Sequence, residues 1–131
     1  MKKTINIIRD FSDIPYGRYR FDAPGCEFTA GEVFREQFIL PAILDKDIEE
    51  LTIDFSDESL YGRSFLSEAI GGLIRKAYIT KEHLPKKIKF IYPEDTTQVK
   101  TLVELSISES KYASEPPGYE PDPTRDGTTE L

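Results

Sequence analysis

Ser64 is the residue best placed to do chemistry, within the stretch YGRSFLSEAIGGLIR at residues 61–75. A serine ahead of an amphipathic run suits a helix N-cap, since its oxygen accepts a bond from the N–H of N2 or N3. The same position suits a phosphoacceptor or partner-contact residue. A helix N-terminus stabilises a phosphate through free N–H groups and the helix dipole, and the neighbouring Arg63 can pair with it. The two roles are compatible. A nucleophilic serine would need a general base. The single histidine, His83, lies in the polar segment KEHLPKK, and YGRSFL lacks the second glycine of a nucleophile elbow.

Other residues extend this candidate surface. Tyr61, Gly62 and Arg63 lead into the helix, and Ser64, Glu68 and Gly71 fall on one stripe at i, i+4 and i+7. Glu68 reads either as a solvated helix charge or as an acid meeting a basic partner. Gly71-Gly72 costs about 1 kcal/mol per residue against alanine inside a helix. Close internal packing or close approach of a partner would compensate. Arg18, Arg20 and Arg35 form a small basic set that can hold an anion or make internal ion pairs. The acidic run DKDIEE lacks the spacing of a calcium loop. One cysteine and one histidine leave almost no zinc ligands. Neither phosphate-binding glycine motif occurs. The chemistry predicts no cofactor, no metal and no enzyme.

These residues need elements to position them. The 131 residues suit one domain, and 38% hydrophobic with 31% charged residues is ordinary for a globular chain. A formal net charge of −7 argues against nucleic acid and anionic membranes as partners. The N-terminal apolar run is short and broken by Arg9 and Asp10. It predicts neither signal peptide nor membrane span, hence a cytoplasmic protein.

TINIIRDF, ELTIDFS and KKIKFIYP read as strands, and RYRF as a short one. TAGEVFREQFILPAIL reads as a helix with a capping box at Thr29 and Glu32, ended or kinked by Pro41. Leu66, Ala69, Ile70, Leu73, Ile74, Ala77 and Tyr78 make one apolar helix face, opposite Ser67, Glu68, Gly71, Arg75 and Lys76. EDTTQVKTLVELSI reads as a last helix, with a capping box at Asp95 and Gln98 and an apolar side of Val99, Leu102, Val103 and Leu105. Strands alternating with helices predict an α/β domain over residues 1–108, with a mainly parallel sheet of four to five strands. From Glu109 onward six acids, two bases and four prolines predict a flexible acidic tail over 109–131.

Three segments carry a family resemblance: INIIRDFSDIPYGRYRFDAPGCEFTAGEVFRE, LPAIL and LTIDFSDESLYGRSFLSEAIGGLIR. Gly17-Arg18, then Gly31-Glu32-x-Phe34-Arg35, then the run from Ser64 to Leu73 resemble the STAS-like family of bacterial domains of uncharacterised function. That family is related in fold to STAS anti-sigma-factor antagonists. The resemblance spans roughly residues 4–108. Antagonists of this fold carry Asp-Ser-Ser-Gly at a strand-to-helix turn, where a kinase of the histidine-kinase-like ATPase fold phosphorylates a serine and breaks the complex. Ser64 takes the place of that acceptor. Gly62, Arg63 and Phe65 replace the Asp, the first Ser and the Gly. The resemblance implies a regulatory module, monomeric or homodimeric, docking a protein such as a histidine-kinase-like ATPase or anti-sigma-type kinase around Tyr61, Gly62, Arg63, Ser64, Glu68 and Gly71. An anionic-ligand sensor using Arg18, Arg20 and Arg35 is the alternative, with a serine hydrolase behind it.

Overall fold

Alternating apolar residues in ELTID place Leu51 and Ile53 in the core of strand β2 (Glu50–Asp54). Strand β1 (Lys2–Asn6) and strand β3 (Ile88–Ile91) flank it, both parallel to it. In register, Ile5 faces Ile53 and Ile53 faces Phe90. A computed structural model describes residues 1–56, 61–76, 78–94 and 98–110.

Among the described residues the sheet has three strands in the order β1-β2-β3. Four to five were expected; one expected strand does not form, and another is shorter than expected. β1 stops at Asn6, whose side chain accepts the Arg9 N–H and starts a short helix, α1 (Ile7–Asp10). RYRF is not a strand. The Asp22 carboxylate accepts the N–H groups of Arg18 and Tyr19 at 2.9 and 3.0 Å and closes the segment into a turn. The expected tail lies almost wholly outside the described residues.

Helix α2 occupies residues 31–44 as three abutting segments: α-helical Gly31–Phe34, π-helical Arg35–Ile39 and α-helical Leu40–Leu44. Pro41 therefore neither ends nor breaks the helix. The wide π turns come just before it, where an α-helical turn would press the ring on the carbonyl four residues back. The capping box expected at Thr29 does not form. Its hydroxyl donates to the Tyr16 carbonyl at 2.9 Å. The first N–H groups of α2 are satisfied instead by loop carbonyls, Gly31 N–H to Gly17 O and Glu32 N–H to Arg18 O, both at 3.0 Å. Gly17 sits at φ 92°, where a side chain would be strained.

Helix α3 occupies residues 63–75 in the same way: Arg63–Leu66, a π segment Ser67–Gly71, and Gly72–Arg75. A short helix α4 (Leu84–Lys87) precedes β3, and helix α5 (Gln98–Glu109) follows it. Val99 and Val103 of α5 are buried and Leu102 half-buried, but Leu105 is exposed and Ser106 takes the buried place. The capping box at Asp95 falls partly outside the described residues. The core joins β2 to α2 and α3 through Phe55, Tyr61 and Phe65, and through Phe34 stacked on Phe38.

Candidate partner-docking site

The turn into α3 places Ser64 on the surface. Gly62, in extended conformation, is the N-cap, and Ser64 is the second helical residue. The N-cap role expected of Ser64 therefore passes to Gly62. The first intrahelical bond runs from the Leu66 N–H to the Gly62 carbonyl at 3.1 Å. The N–H groups of the first turn precede it and point out of the helix end. Ser64, Gly62 and Arg63 are all exposed.

They line a groove of about 710 Å³ whose other wall is the loop bearing Pro15, Tyr16 and Arg18. The sequence predicts only turns and a strand for this loop. Pro15 is buried, but Ile14, Tyr16 and Phe21 on and beside the loop are turned outward, 64–78% exposed. The aromatic density of IPYGRYRF was the available signal. The groove brings Arg18, Arg63 and Ser64 to one surface, two arginines beside a hydroxyl at a helix N-terminus.

The rest of the expected contact set is buried. Tyr61 packs edge-on against Phe55 at 5.1 Å and belongs to the core. Glu68 is fully buried, not exposed on the outer face. Its Oε2 accepts from Arg35 Nη1 at 2.5 Å. Its Oε1 accepts from Arg75 Nη2 at 3.3 Å and Arg18 Nη1 at 3.5 Å. A Cβ on Gly71 would meet Ser110 Oγ at 2.5 Å, and one on Gly72 would meet Arg35 Nη1 at 2.2 Å. Both glycines make room for internal partners.

The basic trio is likewise spoken for. Arg35 is fully buried and donates to Glu68 and, through Nε, to Glu36 at 2.7 Å. Burial works against its charge, yet Glu68 and Glu36 outweigh that and hold its pKa above the usual arginine value. Arg20 donates through its backbone N–H and Nε to buried Glu32 at 2.8 and 3.3 Å. Of the three, Arg18 alone reaches the groove. The anion site expected of this trio is thus an internal ion-pair network. His83 borders a different cleft from Ser64, so the structure does not bring the hydrolase pair into one pocket.

Glu32 gives this network a pH signature. Burial pushes its pKa above the usual glutamate value, and the bonds from Arg20 only partly oppose this. Below about pH 4.3 the carboxyl is protonated in both folded and unfolded chains. As pH rises past that point the unfolded chain ionises first, so the folded state loses stability until Glu32 itself titrates. Urea unfolding across pH 4–7 should therefore show wild type losing stability relative to Glu32→Gln as pH rises. A constant difference would show that Glu32 titrates alike in both states.

Among the described residues no helix is long and apolar enough to cross a membrane. No curated protein and no solved structure matches the chain. A family described as a STAS-like domain of unknown function matches residues 30–98, from the start of α2 to the start of α5. That span is more than half of the chain and includes the Ser64 turn and the buried Arg35–Glu68 pair, so the protein belongs to the STAS-like domain family.

Proposed function

We propose that this domain is a regulatory protein-interaction module, not an enzyme, that docks a protein partner along the groove between the Pro15–Asp22 loop and the Ser64 turn. The observation that carries the reading is the placement of exposed Ser64 in that groove, beside Arg18 and Arg63 and next to a loop of outward-turned aromatics. Exposed aromatic and arginine side chains are the usual anchors of protein interfaces. Phosphorylation of Ser64 is the proposed switch. The likeness to antagonists makes a histidine-kinase-like ATPase or anti-sigma-type kinase the partner class, which would place the protein in the cytoplasm.

A negative group at the second helical position is favourable to the dipole. Ser64→Glu should therefore leave the melting temperature nearly unchanged while altering the docking face. The test is affinity purification of the tagged full chain from its own cells, followed by mass spectrometry. Wild type and Ser64→Ala should each recover a stoichiometric protein partner, and Ser64→Glu should recover at least tenfold less. Equal recovery by all three would remove the switch. Absence of any stoichiometric partner would remove the docking reading.

A further inference from the structure

A second cleft, of about 530 Å³, lies between the end of α2, the loop after α3, and α4. Its size is that of a small-molecule site. Ile43, Leu44 and Ile79 give it an apolar wall, and Leu44 is half exposed there. Its charged wall is of one sign. Among the described residues His83, Lys86 and Lys87 line it and no carboxylate does, in a chain with 24 acidic residues against 17 basic ones. Glu36 accepts from the Tyr78 hydroxyl at 2.9 Å, but Arg35 already balances its charge at 2.7 Å.

The donors differ in their commitments. Lys87 Nζ donates to the Ile48 carbonyl. Lys86 is exposed, and its side chain makes no hydrogen bond or ion pair among the described residues. Thr80 Oγ1 accepts the His83 N–H at 3.1 Å and lies 2.8 Å from Nδ1. The hydroxyl can donate to Nδ1, and in that tautomer, as in the protonated ring, Nε2 carries a proton.

We propose that this cleft binds a small monocarboxylate with an apolar tail. The carboxylate meets Lys86 Nζ and the His83 Nε2–H, and the hydrocarbon lies on Ile43, Leu44 and Ile79. The site is separate from the Ser64 groove and does not rest on the docking reading. Hexanoate is a suitable probe, and hexanol a neutral control of the same tail. Titration of the full chain, followed by amide NMR, should give saturable shifts over residues 78–87 at millimolar hexanoate. Hexanol should bind at least tenfold more weakly. Lys86→Glu and Leu44→Glu, both at exposed positions that keep the fold, should each weaken hexanoate at least tenfold. Non-saturable shifts, equal binding of hexanol, or affinity unchanged in both variants would each overturn the assignment.

Discussion

Glu68→Ala is expected to cost about 3 kcal/mol of folding stability, the low end of what breaking a buried ion pair costs. The charge that loses this partner is Arg35, which is fully buried beneath α3 and keeps its bond to Glu36 at 2.7 Å. Its Nη1 donates both to the Glu68 side chain and to the Glu68 carbonyl, at 2.5 and 2.8 Å. Arg75 and Arg18 lose the same carboxylate. They are 24% and 34% exposed and can turn toward water, whereas Arg35 cannot. For a domain whose total stability lies in the usual range of about 5–15 kcal/mol, such a loss brings the chain close to unfolding. Chemical denaturation should read it directly. Arg63→Ala supplies the contrast. Its bond to Glu109 joins side chains that are 64% and 55% exposed, a pair of the kind worth about 0–1 kcal/mol. If the two variants cost the same, the buried network is not what holds α2 to α3. The variant Arg35→Met, Glu68→Leu with Glu36→Gln should be more stable than Glu68→Ala alone, since apolar residues replace the buried pair at little cost and Glu36, which Arg35 would no longer balance, is made neutral.

That network also explains what could and could not be read from the residues. The parallel sheet was legible because LTIDF and KIKFI carry their burial in a period of two, and the helix after Ser64 because Leu66, Ala69, Ile70, Leu73 and Ile74 repeat at three and four. All five of these helix residues are buried. Its other face was misread. Glu68, Gly71 and Lys76 look solvent-facing by periodicity, yet all three are buried, Glu68 against Arg35 of α2 and Gly71 against Ser106 of α5. Periodicity finds a helix face covered by apolar neighbours, and this face is covered by charges paired with one another. The π turn at Ser67–Gly71 compounds the error, since an inserted residue rotates everything after it. RYRF alternates as an edge strand does, and only the reach of Asp22 back to two N–H groups decides against it. Ser64 and Arg18 were each legible as candidates. Their meeting across one groove was not, because it depends on how the Gly17 loop caps α2.

Gly31→Ala is expected to destabilise the domain by about 2–3 kcal/mol, although helix propensity alone predicts a gain of about 1 kcal/mol. Gly31 opens α2 where that helix crosses the start of α3. A Cβ placed on it would lie 2.3 Å from the Phe65 carbonyl oxygen and 3.1 Å from the Ala69 backbone nitrogen. Both obstacles are backbone, so no side-chain rotation relieves the contact and the two helices must separate. Separation strains everything the crossing carries: the Phe34–Phe65 contact at 6.1 Å between ring centroids, and the reach of Arg35 to Glu68. Gly62→Ala is the matched control, for a Cβ there meets nothing within 4 Å and the residue already has extended φ and ψ. It should cost about 1 kcal/mol or less, the preference of an N-cap position for glycine over alanine. Melting curves of the two variants separate the explanations. A large loss for Gly31→Ala beside a small one for Gly62→Ala assigns the early glycine to helix contact. A gain for Gly31→Ala would mean that α2 and α3 sit further apart than 2.3 Å allows, and the buried pair between them would then be weaker than its bond lengths imply.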